Sequence, residues 1–137
     1  ALSIAAGKDG EVLNHGDVRI APGGERHMVV ERRDGHYMTR LLSAQPVNGH
    51  CPSVDMLFDS VAEAVGREAL GVILTGMGQD GAEGLLAMRR AGAQTIAQDK
   101  ASSVVYGMPR VAAEIGAAEH IVPLSQIAMA AMAMRAH

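Results

Sequence analysis

The sequence predicts an α/β fold, with a mostly parallel sheet, helices on its faces and an antiparallel β-hairpin near the N-terminus. Between residues 70 and 135, short apolar runs alternate with amphipathic helical segments. This alternation is typical of parallel strands joined by crossover helices. Nearer the N-terminus, two β-prone runs flank Asp34-Gly35. Asp-Gly in that setting indicates a hairpin, because both residues tolerate the positive φ angles of its tight turn.

The first 45 residues are predicted to be β-structure with tight turns. Val18–Ile20 is a short strand that runs into a Pro-Gly-Gly turn, and Arg26–Arg32 and His36–Leu42 form the hairpin. The segment 1–45 is too small to hold a core of its own. We therefore predict one domain over 1–137, with a hairpin region at 1–45 and an α/β region at 46–137.

A helix is predicted to start after Ser53, which is a good N-cap residue, and to stop at Gly66. Asp55 falls in its first turn, where a negative charge suits the helix dipole. The remaining elements are predicted strands at Gly71–Thr75, Thr95–Ala97 and His120–Val122, and helices at Ala82–Ala91, at Met108–Ile115 and after a Ser125 cap.

Composition excludes several classes of function. The net charge is −3, and the absence of any basic run argues against a nucleic-acid partner. No apolar stretch approaches the roughly 18 residues that span a bilayer, so no membrane insertion is expected. The single cysteine, Cys51, favours a reducing, cytoplasmic compartment. No two of the six histidines have helical metal-ligand spacing, so no metal site is predicted, and most histidines are expected on the surface or in turns.

The glycine-rich turn Gly76–Gly81 is the strongest local candidate for a functional site. It follows a predicted strand, and ligands of open parallel sheets gather at the carboxyl ends of the strands. Asp80 lies where the next helix begins, so its carboxylate is either a simple N-cap or a functional anion. Spacing alone leaves both interpretations open.

The same turn also satisfies a dinucleotide-binding pattern. Gly76, Gly78 and Gly81 fit G-x-G-x-x-G, and Asp99 follows the next predicted strand at the distance expected of a ribose-binding acid. The pattern normally sits on the first strand of its domain, whereas here a hairpin and a helix precede it. A dinucleotide-binding module remains the alternative hypothesis, and a non-catalytic remnant is a third.

Several stretches in consistent order resemble the bacterial chemotaxis protein-glutamate methylesterase family. They are Arg19–Gly23, His27-Met28, Pro46–Asn48 with His50, Pro52–Phe58, Gly71–Gly78, Asp80-Gly81, Ala91–Ala93, Thr95–Gln98, Ala101-Ser102 and Gly107–Arg110. The resemblance implies a doubly wound α/β fold with a hairpin. It also implies a hydrolase that needs no cofactor and removes methyl groups from methylglutamates of chemoreceptors, with glutamine deamidation as a second reaction of many members.

The family uses a Ser-His-Asp triad, and the resemblance assigns the acidic role to Asp80. Gly76, Met77 and Gly78 would line the site, where by analogy a backbone amide would bind the oxyanion. The family's Ser and His both precede the region that aligns with Ala1, as does its receiver domain. The chain is therefore expected to be a partial methylesterase domain, inactive alone and marginally stable because sheet edges and apolar faces are left uncovered.

Overall fold

The computed structural model describes residues 1–134 of the protein. Residues 135–137, which include His137, lie outside the described part. In chain order the elements are β1 Ser3–Ala6, β2 Glu11–Val12, β3 Asp17–Ile20, β4 Arg26–Arg33, β5 His36–Ser43, α1 Val54–Ala64, a 3-10 turn Gly66–Glu68, β6 Leu70–Ile73, α2 Ala82–Arg90, β7 Gln94–Gln98, α3 Met108–Glu114, β8 His120–Val122 and α4 Leu124–Met134.

The predicted hairpin is formed by β4 and β5, which pair antiparallel from Arg26 opposite Ser43 to Arg33 opposite His36. Its turn is Asp34-Gly35, with φ angles of 54° and 79°. Both residues tolerate these left-handed values, so the turn follows the strand twist and closes the hairpin. The short strand β2 pairs with the other edge of β5. The hairpin prediction is confirmed.

The C-terminal half is a parallel sheet in the order β6-β7-β8, with α2 and α3 as its crossovers. The central strand β7 is buried on both faces, and its buried polar side chains, Thr95 and Gln98, are hydrogen-bonded. Ile73 and Ala97 pack with Leu85 of α2 in the main core. A Cβ on Gly71 would lie 2.6 Å from the Leu85 side chain, so glycine permits the close contact between β6 and α2.

Parallel pairing also occurs between β1 and β3, which form a separate two-stranded sheet in the described residues. This sheet carries exposed apolar side chains: Leu2 is 70 %, Ile4 64 % and Ile20 59 % exposed. The α/β prediction is confirmed, with the parallel strands divided between two sheets.

The last helix differs from the prediction in its start. α4 begins at Leu124, so Ser125 lies inside the first turn and is not the cap. The Gln126 amide donates to the Pro123 carbonyl and closes that turn. Met129 and Met132 lie on the solvent side of the helix and are 77 % and 56 % exposed. The helix instead packs against the protein through Ile127, its buried residue.

Candidate active site

The N-terminus of α1 is built around Ser53. Its hydroxyl accepts a hydrogen bond from the Met56 amide at 3.4 Å, as expected of an N-cap. The same hydroxyl donates to Oδ1 of Asp80 at 2.8 Å. The cap of α1 is thus tied directly to the glycine-rich turn before α2.

Asp80 is 4 % exposed and its carboxylate accepts hydrogen bonds from the start of α1. The Val54 amide donates to Oδ2 at 2.7 Å, and the Asp55 amide donates to Oδ1 at 3.3 Å. The Asn48 side chain donates to the same Oδ1 at 3.3 Å. The interpretation of Asp80 as the N-cap of its own following helix is wrong, because its carboxylate caps α1 instead.

The N-terminus of α2 is capped by Asp55. Its Oδ1 accepts hydrogen bonds from the Gly81 amide at 2.9 Å and the Gly84 amide at 2.7 Å. The N-cap position of α2 is Gly81, whose φ of 99° favours glycine and which has no side chain that could cap the helix. Asp55, expected only to complement the dipole of α1, therefore stabilises the neighbouring helix. The carboxylate of Asp80 thus caps α1, and the carboxylate of Asp55 caps α2.

Asn48 bridges the two carboxylates. Its side-chain amide lies 2.7 Å from Oδ2 of Asp55, besides its contact with Asp80. A tight turn holds it there, since Val47 and His50 exchange two backbone hydrogen bonds of 2.9 Å. Asn48 and Gly49 occupy the left-handed region with φ angles of 53° and 77°. Asn-Gly is a favoured sequence for such a turn.

His27 is completely buried behind Ser53, so it is not one of the expected surface histidines. Its Nδ1 accepts the Ser53 amide at 3.0 Å, and its Nε2 lies 2.9 Å from the Gln45 carbonyl. These partners assign a neutral ring with the proton on Nε2. His27 therefore supports the Ser53 backbone and does not face the glycine-rich turn as a general base.

Opposing effects act on the pKa of Asp80. Burial is the largest single effect and raises the pKa of Asp80, because the charged form loses hydration. Hydrogen bonds from Val54, Ser53, Asn48 and the Asp55 amide lower it, and together they outweigh burial. The net pKa of Asp80 lies below its ordinary value of 3.8, so the carboxylate is ionised at neutral pH.

The predicted site-lining residues lie in the turn that leads to Asp80. The Gly76 carbonyl accepts the amides of Gly107 at 3.1 Å and Met108 at 2.9 Å. A Cβ on Gly107 would stand 2.7 Å from the Gly76 oxygen and 2.9 Å from the Gly78 nitrogen. Gly107 therefore permits the approach that shapes this turn. The Met77 side chain points into solvent and is 80 % exposed.

The geometry disfavours the dinucleotide hypothesis. A pyrophosphate would bind the amides at the start of α2, but those of Gly81 and Gly84 already donate to Asp55. Asp99 accepts the Ser102 amide at 3.0 Å and the Ser102 hydroxyl at 2.7 Å. The proposed ribose-binding acid thus stabilises its own loop.

Within residues 1–134, no three histidine, cysteine or acidic side chains lie together in a geometry that could hold a metal ion. None of the helices in that part of the chain has the length and apolar character to cross a membrane.

Sequence reasoning gave no role to Asn48, to His27 or to the capping of α2 by Asp55. All three residues stood in stretches that carried the family resemblance. Gly107 did as well. The family resemblance was the signal that could have pointed to these residues, but a resemblance does not reveal which side chains contact one another.

The chain is similar to known proteins that all carry the methylesterase description. A profile described as "CheB methylesterase" matches residues 1–131. The protein named protein-glutamate methylesterase/protein-glutamine glutaminase from Bordetella pertussis is 57 % identical over 127 residues, which cover 93 % of this chain and 36 % of the relative. The Agrobacterium fabrum protein of the same name is 60 % identical over 119 residues, covering 87 % and 34 %.

A solved structure shares the fold. The crystal structure of the Thermotoga maritima CheB methylesterase catalytic domain superimposes with a TM-score of 0.88 at 36 % identity, covering 92 % of this chain and 66 % of that one. The chain therefore spans about a third of the length of the curated relatives and about two thirds of a catalytic domain. The chain belongs to the CheB methylesterase family.

Proposed function

We propose that the chain supplies the acidic member of a Ser-His-Asp triad, Asp80, to a protein-glutamate methylesterase of bacterial chemotaxis. The reaction is hydrolysis of methyl esters on glutamate side chains of chemoreceptors, with deamidation of glutamine as a related acyl transfer. The names of the relatives support this assignment. Because the chain spans only about a third of them, the activity of the whole protein is part of the proposal.

The observation that carries the proposal is the unequal use of the two Asp80 oxygens. Among the described residues, Oδ1 accepts three hydrogen bonds, whereas Oδ2 accepts one, from the Val54 amide. Since a carboxylate oxygen has two lone-pair directions, Oδ2 can accept a further donor. We assign that direction to the Nδ1–H of the triad histidine. Asp80 would then hold the imidazole in its productive tautomer and stabilise the imidazolium formed during acyl transfer.

Gly76, Met77 and Gly78 are proposed to line the reacting centre. They lie in the turn that ends at Asp80, and a backbone amide of this turn would donate to the oxyanion of the tetrahedral intermediate. The support from Gly107 keeps the turn in one shape. The attack by Ser, the proton transfer by His and the binding of the oxyanion require neither a metal nor an organic cofactor.

The Ser and His of the triad would come from sequence outside these 137 residues, and the substrates would be the cytoplasmic helices of methylated chemoreceptors. A receiver domain in a longer chain would place the enzyme in two-component signalling in the cytoplasm. On this proposal the 137 residues alone do not hydrolyse methyl esters, because loss of a nucleophile or base from such a triad lowers the rate by several orders of magnitude.

The test is methanol release from methylated chemoreceptor, with the 137-residue chain and with the full-length protein that its gene encodes. We expect activity from the full-length protein only, and we expect Asp80→Asn to reduce its kcat by about 10⁴-fold, as for the equivalent change in a serine protease. Activity in the full-length protein that survives Asp80→Asn would contradict the role of Asp80. An inactive full-length protein would contradict the esterase assignment itself.

A further inference from the structure

We propose that Asn48 and Asp55 are positioning residues for Asp80, which together fix the direction in which Oδ2 of the Asp80 carboxylate is presented. This inference rests on the proposed function. It adds two residues that act through Asp80 and do not touch the reacting atoms.

Asp55 fixes the backbone on the C-terminal side of Asp80. Its Oδ1 binds the amides of Gly81 and Gly84 at 2.9 and 2.7 Å. The Gly81 nitrogen belongs to the peptide that follows Asp80, so this bond fixes the plane from which the Asp80 side chain projects. Asp80 in turn accepts the Asp55 amide at 3.3 Å. The position of each residue therefore depends on the other.

Asn48 fixes the rotation of the Asp80 carboxylate. Its Nδ2 lies between Oδ2 of Asp55, at 2.7 Å, and Oδ1 of Asp80, at 3.3 Å. The two acidic residues are 6 % and 4 % exposed, so solvent screens the repulsion between their carboxylates only weakly. An amide group has two N–H donors and can serve both carboxylates. The Asn48 amide offsets the repulsion between the two carboxylates and keeps Oδ1 of Asp80 on its own side. Oδ2 of Asp80 is then free to accept the triad histidine.

The backbone around Asn48 allows a clean substitution. Asn48 has a φ of 53° and precedes Gly49, so glycine adopts its conformation more easily than alanine. Asn48→Gly removes the donor and keeps the turn. Asp34→Gly is its matched control, because Asp34 also has a positive φ, of 54°, and also precedes a glycine. Asp34 lies in the hairpin turn and is exposed.

Asp55→Asn is an independent second variant. The new side-chain oxygen can still accept the Gly81 and Gly84 amides, so the cap of α2 is retained. The new NH₂ faces the NH₂ of Asn48, so the bridge to Asp80 is lost. Asp59→Asn, one helical turn further along α1 at an exposed position, is the control for this charge change.

The variants are assayed in the full-length protein for methanol release from methylated chemoreceptor, with kcat and KM measured separately. We expect Asn48→Gly and Asp55→Asn each to lower kcat about tenfold or more, as for loss of a hydrogen bond to a charged group, with KM unchanged. Asp34→Gly and Asp59→Asn should retain the parent kcat. In an Asp80→Asn background, Asn48→Gly should cause no further loss of kcat.

The outcomes separate this inference from the proposed function. An unchanged kcat in both variants, or an equal loss with and without the Asp80 carboxylate, overturns the positioning role and leaves the triad assignment intact. An Asp80→Asn enzyme with full kcat overturns the proposed function and this inference with it. If one of the two variants does not fold, the other decides the result.

Discussion

Asp55 accepts hydrogen bonds from the first turn of α2, while Asp80, two residues before α2, accepts hydrogen bonds from the first turn of α1. The two helix starts therefore hold one another through a reciprocal exchange of carboxylates. A helix N-terminus carries unpaired amides and a partial positive charge, so each carboxylate is stabilised by the helix that it caps. The candidate active site is built on this exchange.

Close packing of α1 on α2 requires glycine at position 84. A Cβ there would lie 2.7 Å from Cβ of Phe58 and 3.1 Å from Cα of Asp55. We expect Gly84→Ala to lower the free energy of unfolding by about 1–3 kcal/mol, because the helices must move apart. Urea denaturation measures the change. Gly23→Ala is the control, since no atom lies within 4 Å of a Cβ at that position; an equal loss in both variants would contradict the prediction.

The Asp80 carboxylate should stabilise the fold in a pH-dependent way. Its folded pKa lies below the ordinary value of 3.8, so its contribution is fully present above 3.8 and is lost as pH falls through the folded pKa. Asp80→Asn should therefore be less stable than the parent at pH 7, with a difference that narrows in acid. Denaturation curves from pH 2 to 7 test this. Asp34→Asn, at an exposed turn, should show no such trend, and a constant difference for Asp80→Asn would contradict the prediction.

Asp59 should destabilise the fold at neutral pH, whereas Asp80 should stabilise it. Asp59 is exposed by surface area, but partial desolvation of its carboxylate is the main effect that raises the pKa of Asp59, and the negative charges of Asp55 and Glu83 raise it further. A raised pKa means that the ionised form is disfavoured in the folded state, so Asp59 destabilises the protein above its folded pKa. We expect Asp59→Asn to increase the free energy of unfolding at pH 7 slightly, by at most about 0.5 kcal/mol because exposed charges are screened. The gain should vanish below pH 3.8, the ordinary value; a gain that persists there would have another origin.

Ser53 has two partners, so its loss should cost more than an ordinary helix cap. Ser53→Ala removes the acceptor for the Met56 amide and the donor to Asp80. We expect a loss of about 2 kcal/mol, the upper end of the range for caps, measured by thermal or urea denaturation. Ser125→Ala is the comparison, because Ser125 is an exposed serine inside the first turn of α4. A loss equal to that of Ser125→Ala would show that the bond to Asp80 contributes little.

Local patterns in the sequence predicted much of the fold. The hairpin follows from Asp34-Gly35, and α1 starts directly after its predicted cap, Ser53. The start of α4 was wrong because the Pro123 carbonyl, and not the Ser125 hydroxyl, accepts an amide of the first turn. The periodicity of that helix did identify its less exposed side, on which Ile127, Ala130, Ala131 and Met134 lie.

The sequence by itself determined the order of strands and helices, and through resemblance it singled out Asp80. Only the tertiary structure decided what surrounds that carboxylate. Asn48 and Asp80 are 32 residues apart, and Asp55 and Gly84 are 29 apart. Turn and helix signals arise from neighbours in the chain, whereas these hydrogen bonds arise from packing α1 against α2. No periodicity in one segment specifies which polar groups the other segment brings to it.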